Sequence, residues 1–334
     1  MNDKVTIKDI AYELNLSVNT VSRALRNMSD ISQETKLRVL KKADEMKYTK
    51  NQLASTLRTQ KSHMIGAIMP DILNPVYSGM YKGVEKICKD NGYTILLANT
   101  NESVYEEKKA INTIINHQAD GIILCPSMEN NSNMDALKRC GTPFVLIGRT
   151  FHDPEIYSVV NNDRRGGYLA CEHLLSKGFR SFIYLSGPLY ISSAIGRKDG
   201  FCDCMRENGL DPSELLTLET EPTWMGAYRA MEALLDTGVN KRAIFTFNDI
   251  MAMGVLKLFQ EHGIAVPEQV AVIGYDDIDL CSLVTPGLST IDICKYRLGV
   301  QGMTLLMNMI TKEKIPDDEK QMSFEPKVVA REST

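Results

Sequence analysis

Short apolar runs that recur along the chain from Met64 onward constrain its fold more than any other feature. They read MIGAIM (64–69), TILLAN (94–99), GIILC (121–125), FVLIG (144–148), YSVV (157–160), FIYL (182–185), AIFTF (243–247) and VAVIGY (270–275). A strand that is apolar on both faces has to be covered on both sides, as in a parallel sheet flanked by helices. Helix-period segments lie between most of the runs, at 78–91, 106–118, 167–177 and 249–262. The alternation predicts an α/β, doubly wound body. Several helices should end at a glycine followed by an apolar residue: Gly92-Tyr93, Gly178-Phe179, Gly209-Leu210 and Gly263-Ile264. Glycine accepts the left-handed conformation there, and the next residue can pack back on the helix.

More than 200 residues of this pattern exceed a common single sheet, so two lobes with a cleft between them are expected. The crossings are placed at Asn161–Arg165, at Ser289–Tyr296 and near Met322, because one more strand-like piece follows at Lys327–Ala330. Ligands of open α/β sheets bind at the carboxyl ends of strands. Those ends carry Pro70-Asp71, Asn99-Thr100, Gly148-Arg149, Ser186-Gly187-Pro188, Asn248-Asp249 and Asp276-Asp277.

Ahead of the body, VTIKDIAYELNLSVNTVSRALR (5–26) holds two helix-period sets back to back. Ile7, Ile10, Ala11 and Leu14 form one face; Val21, Ala24 and Leu25 form the other. Thr6 and Ser17 are suited to cap the two helices. Only Asn15-Leu16-Ser17 separates them, which predicts the steep crossing of a helix-turn-helix. Opposite the apolar stripe of the second helix lie Asn19, Ser22, Arg23 and Arg26. Arg can pair bidentately with guanine and Asn with adenine; Thr20 and Ser22 suit phosphate. The same face could equally be the solvated side of an ordinary small bundle. A third helix is expected from Ser32 to about Met46, with Leu37, Leu40, Ala43 and Met46 inside and Lys36, Lys41, Lys42 and Lys47 outside. Tyr48–Lys61 is polar and reads as a linker, or as a segment that becomes helical only on a partner.

Charge separates the two parts. Residues 1–62 hold 12 Lys and Arg against 7 Asp and Glu, whereas the remainder holds 26 against 35. A basic head on an acidic body fits a head that meets a polyanion. No apolar stretch approaches the roughly 18 residues of a membrane span, and no secretory leader is evident. The eight cysteines are scattered without a CxxC, and His63, His117, His152, His173 and His262 have no metal-ligand spacing. No metal or cofactor is implied, and a reducing cytoplasm is the expected location.

At this level the chain resembles the lac repressor/galactose repressor (LacI–GalR) family of bacterial transcription regulators. The likeness rests on VTIKDIA followed by SVNTVSRAL, on Asn51, Ala54 and Leu57 in the spacing N-x-x-A-x-x-L, and on IGAIMPDILNPVYSGMYKGVE at 65–85. It extends through GGYLACEHLLSKGFR, GRKDGF, FNDIMAMGVL, VIGYDD and the closing ARES. The resemblance implies a helix-turn-helix head at 1–49, a hinge at 50–61 and a two-lobed body at 62–334 of the type I periplasmic-binding-protein kind. Its N-lobe would hold about 62–161 and 292–322, its C-lobe about 162–291 and 323–334.

By that likeness a homodimer binds double-stranded, pseudo-palindromic operator DNA, on the nucleoid. Thr6, Ser17, Val18, Asn19, Thr20, Ser22 and Arg23 would make the head's contacts, with Val18, Asn19 and Arg23 reading bases. Asn51, Ala54 and Leu57 would belong to a hinge whose leucine wedges into the minor groove; alternatively Leu57 packs on its own body. Arg197 and Asp276 would bind a small effector in the cleft, together with Tyr77, Arg149, Asn161, Trp224 and Asn248. Arg, Asp and Asn supply the forked donors and acceptors that sugar hydroxyls need, and an indole can stack on a sugar face. Asp276 could instead start a helix, and Arg197 could be a surface ion-pair partner. Asn161 stands where several relatives carry Asp, so a nucleobase effector or a phosphocarrier protein stays open beside a sugar. The chain closes soon after ARES without a leucine heptad, so a dimer rather than a tetramer is expected.

The reading is therefore a sugar-gated transcriptional repressor. Its rivals are a sugar-binding receptor without DNA function and an α/β enzyme. GxSxG, GxGxxG and GxxxxGK[ST] patterns are all missing, so an enzyme is not expected.

Overall fold

The computed structural model of the chain describes residues 5–48, 61–151, 153–235 and 242–334. The chain divides into two compact units, Met1–Ser62 and His63–Thr334. The expected hinge residues Asn51, Ala54 and Leu57 lie outside the described residues.

In the first unit, helices α1 (Ile7–Leu14), α2 (Val18–Leu25) and α3 (Gln33–Glu45) surround a core of Ile10, Ala11, Val21, Ala24, Val39 and Ala43. Asn15 takes a left-handed φ of 52°, and the Leu16 N–H reaches back to the Ala11 carbonyl at 3.0 Å, which stops α1 and turns the chain. The expected inner stripe of α3 is corrected. Leu37 and Leu40 are exposed and Val39 is buried in their place, while Ala43 and Met46 face the core as expected. Both registers satisfy helical spacing, so which one faces the core is decided by the other two helices.

The second unit holds two parallel sheets. Strands β1 (Met64–Met69), β2 (Thr94–Asn99), β3 (Gly121–Leu124), β4 (Phe144–Ile147) and β5 (Ser158–Asn161) join the late strand β11 (Gln321–Phe324) in the order β11-β5-β4-β3-β1-β2. Strands β6 (Ser181–Ser186), β7 (Leu216–Glu219), β8 (Arg242–Thr246) and β9 (Val270–Ile273) form the second sheet in the order β7-β6-β8-β9. Strands β10 (Thr290–Asp292) and β12 (Lys327–Val329) pair antiparallel. Helices α4 (Pro75–Asp90), α5 (Val104–Asn116), α6 (Ser132–Cys140) and α11 (Lys295–Thr311) belong to the first lobe. Helices α7 (Asp163–Ser176), α8 (Ser192–Glu207), α9 (Trp224–Glu232) and α10 (Asp249–Glu261) belong to the second.

Most of the continuous apolar runs are buried strands covered by helices; β3 and β9 are buried at every position, whereas β2, at the edge of its sheet, is fully buried at none. The glycine stops at 92, 178, 209 and 263 all have positive φ, and the following Tyr93, Phe179, Leu210 and Ile264 each donate back into the helix. Strand β11 places residues 321–324 in the first sheet, so the third crossing falls after Phe324 rather than at Met322.

Candidate functional site

The head presents one polar face. The Ser17 side chain accepts from the Thr20 N–H at 3.0 Å and fixes the first turn of α2. Val18 and Asn19 are then exposed, with Ser22 and Arg23 half-buried beside them. The Arg23 guanidinium pairs with Asp30, whose carboxyl is held below its ordinary range by that hydrogen bond. Arg23 Nε is buried without a partner among the described residues. Thr6 gives both its backbone N–H and its hydroxyl to Asp9, each at 2.7 Å, and so acts as the cap of α1.

The body contains a cavity of about 410 Å³ lined from both lobes. Six of the seven expected effector residues line it: Tyr77, Arg149, Asn161, Arg197, Asn248 and Asp276. Trp224 is corrected; it is not among the lining residues and is 46% exposed. It is the first residue of α9 after the cap Thr223, and its backbone is pressed toward Gly254 of α10. The preceding Glu221, Pro222 and Thr223 form the wall, and the lining aromatic rings are Tyr77 and Phe247.

Arg197 is built in from several elements. A Cβ on Gly167 would lie 1.9 Å from the Arg197 carbonyl, and one on Gly200 would lie 1.7 Å from that of Arg164. Only glycine permits α7 and α8 to approach this closely. The buried guanidinium then lies over the rings of Tyr275 and Phe247, 3.6 and 4.6 Å from their centroids. Its Nε donates to Asp163 at 2.9 Å, one terminal nitrogen donates to the Phe247 carbonyl, and the other lies 3.9 Å from Asp276. Burial raises the Asp163 and Asp276 carboxyls above their usual range, and Arg197 opposes the rise in both.

Asp276 has a φ of 114°, a backbone conformation that costs on the order of 1–3 kcal/mol for a residue with a side chain. The surrounding strands impose it: its N–H donates to the Ile291 carbonyl at 2.8 Å, and it bridges Asp292. Asn161, the last residue of β5, is 6% exposed, and its Oδ1 has no partner among the described residues. Asn248 is already engaged as the cap of α10, accepting from Met251 at 2.8 Å and donating to the Pro222 carbonyl at 3.2 Å.

Arg149 is also engaged. Its terminal nitrogens donate to Glu102 at 2.7 and 2.8 Å, to the Tyr77 hydroxyl at 2.7 Å and to the Pro126 carbonyl at 3.3 Å. Sequence reasoning missed Glu102, Asp163, Phe247 and Tyr275. Only Asp163 left a trace, as the helix start directly after the first crossing with Gly166-Gly167 behind it.

Residues 6–51 match the family of bacterial regulatory proteins, lacI family, and residues 171–334 match the periplasmic binding protein-like domain. The ribose operon repressor of Escherichia coli K12 is 30% identical over 319 residues, 95% of this chain and 97% of that protein. The transcriptional regulator GalR of the same organism is 30% identical over 328 residues, 98% of this chain and 95% of that one. The crystal structure of the lac repressor dimer bound to operator and the anti-inducer ONPF has the same fold. Its TM-score is 0.88 at 23% identity, covering 99% of each chain. A LacI family regulator from Enterococcus faecium with bound ribose matches at TM-score 0.73 and 28% identity, over 81% of this chain and 98% of that one. The chain belongs to the lacI family of bacterial DNA-binding transcription regulators, with a helix-turn-helix head and an α/β body of the type I periplasmic-binding-protein kind.

Proposed function

We propose that the protein is a repressor that grips a pseudo-palindromic operator as a homodimer and is gated by a polyhydroxylated small molecule held between the lobes of its body. Val18, Asn19 and Arg23 read base edges, with Ser17, Thr20 and Ser22 on phosphates. The segment with Asn51, Ala54 and Leu57 supplies the minor-groove contact.

One observation carries the effector reading. Asn161, whose buried Oδ1 has no partner among the described residues, lines the same cavity as Asp276 and Arg197. Among the described residues no protein donor hydrogen-bonds the Asp276 carboxylate. Buried acceptors without donors are costly and call for a ligand that brings O–H or N–H groups. A vicinal diol offers such donors in pairs, and also acceptors for Arg197. The relatives that are named for ribose support a pentose as the first compound to test.

The test is fluorescence-anisotropy titration of a labelled promoter fragment with the full chain, against a panel of neutral pentoses and hexoses. The expected result is that one member shifts operator affinity and that Arg197→Met abolishes the shift without abolishing DNA binding. A sugar response that survives Arg197→Met would refute the site.

A further inference from the structure

We infer that Glu102 sets the charge class of the effector: by closing Arg149 it reserves the cleft for uncharged ligands and turns away phosphorylated and carboxylated ones. The inference rests on reading the cavity as the effector site and adds what that site refuses.

A buried arginine in a ligand cavity ordinarily reads as an anion receptor, because its planar fork matches carboxylate and phosphate. Arg149 is 5% exposed and lines this cavity. Its fork is already occupied. Both Glu102 carboxylate oxygens accept from it, at 2.7 and 2.8 Å, and the two remaining terminal N–H groups go to Tyr77 and Pro126. An anionic ligand could take a terminal N–H of Arg149 only by displacing one of these acceptors, and the Glu102 carboxylate already balances the charge.

Glu102 is held for that role by its turn. Asn101 and Glu102 take φ values of 50° and 60° directly after β2. The turn is fastened on one side by the Thr100 N–H on the Met69 carbonyl at 3.0 Å, and on the other by Ser103, which caps α5. The other guanidinium in the lining, Arg197, is compensated as well, by Asp163 at 2.9 Å and Asp276 at 3.9 Å. Asp71 and Glu221 add carboxylates to the wall without adding cations. An incoming phosphate or carboxylate therefore meets no uncompensated positive charge. A neutral polyol can still donate to the lone pairs of Glu102, which lines the cavity and keeps 28% of its side chain exposed.

The inference is tested with inorganic phosphate as the probe, by calorimetric titration of the full chain in a buffer without added chloride. Glu102→Gln keeps the size of the side chain and removes its charge, leaving Arg149 a buried cation without a counter-ion. Phosphate should bind this variant at least about tenfold more tightly than it binds the unmodified protein. The double variant Glu102→Gln/Arg149→Met should return to the unmodified level, which separates the cleft from phosphate binding at the head. Equal affinity in the unmodified protein and Glu102→Gln would overturn the inference, as would binding retained by the double variant. If circular dichroism shows that Glu102→Gln does not fold, Glu102→Ser removes the same charge, and the same outcomes decide. A sugar panel without any operator response would count against the effector reading alone, since the phosphate difference is read independently of it.

Discussion

Replacing Arg197 by Met exposes the electrostatics of the cleft to a direct measurement. The substitution keeps much of the aliphatic length over Tyr275 and Phe247 and removes the cation between Asp163 and Asp276. The Asp163 and Asp276 side chains are 13% and 6% exposed, so neither can recover its hydration. Breaking a buried pair in this way costs about 3–5 kcal/mol at neutral pH. The sign of its pH dependence follows from the direction of the two shifts. Burial already raises both carboxyls above their usual range, and Arg197 is the largest influence lowering each of them. Without Arg197 both rise further.

A carboxyl whose native pKa exceeds its unfolded value penalises the native state at high pH, and the penalty fades as pH falls through the native pKa. Wherever such a carboxyl is protonated in the native state and ionised in the unfolded one, stability changes by up to about 1.36 kcal/mol per pH unit. The destabilisation by Arg197→Met should therefore grow with pH across a measuring window from about pH 5.5 to about pH 7.5. Urea unfolding at fixed protein concentration measures it. Emission from Trp224, the only tryptophan, reports on the body. A destabilisation that stays flat across the window would mean that Asp163 and Asp276 remain charged and solvated without Arg197, and would refute its role as their counter-ion.

Other substitutions test the head and the walls. Arg23→Ala should lower specific operator affinity by about 1–3 kcal/mol in an anisotropy titration. Asp30→Asn, which frees Arg23 from an exposed pair, should leave operator affinity unchanged or raise it slightly in the same titration. Trp224→Phe should change operator affinity and sugar response by less than about twofold, because the side chain is half exposed and off the cavity. Gly167→Ala, whose Cβ would lie 1.9 Å from a backbone oxygen, should destabilise the body by about 1–3 kcal/mol in urea and weaken effector binding by displacing Arg197.

What could be read from the sequence depended on whether the signal was local. The apolar runs were legible because few polar residues interrupt them, even in β2, which lies half-exposed at the edge of its sheet. Strands β7 and β11 were not, because LTLE and QMSF lie at sheet edges, half-exposed and mixed in character. Arg149, Asn248 and Asp276 stood at predicted carboxyl ends of strands, where ligands of open α/β sheets bind, whereas Asn161 was pointed to only by the family resemblance. Trp224 lies one position beyond the wall: Thr223 lines the cavity and Trp224, the first residue of α9, does not. Glu102 left no signal and Asp163 only its place at a helix start, for a different reason. Their partners lie 47 and 34 residues away, and no periodicity encodes which arginine a carboxylate will meet.

The polar groups of the cleft also lie on the joints of the body. Asn161 ends β5 in one lobe, and Asp163 begins α7 in the other, so two residues span the first crossing. Asp276 bridges Asp292 at the second crossing, where Lys295 donates to the Asp276 carbonyl at 3.3 Å. Arg197 links Asp163 to Asp276 and so ties the first crossing to the second. Reversing a two-state equilibrium from 1:99 to 99:1 takes about 5.5 kcal/mol of differential affinity. A single neutral hydrogen bond, to Asn161 alone, contributes about 1 kcal/mol. Bonds to charged groups contribute about 1.5–3 kcal/mol each. A ligand engaging Asn161, Arg197 and Asp276 in one lobe arrangement and not the other reaches the required range; one that contacts Asn161 alone does not. Gating by an effector in this cleft would then need the joint residues as a set, and a compound that satisfies only one of them should bind without changing DNA affinity.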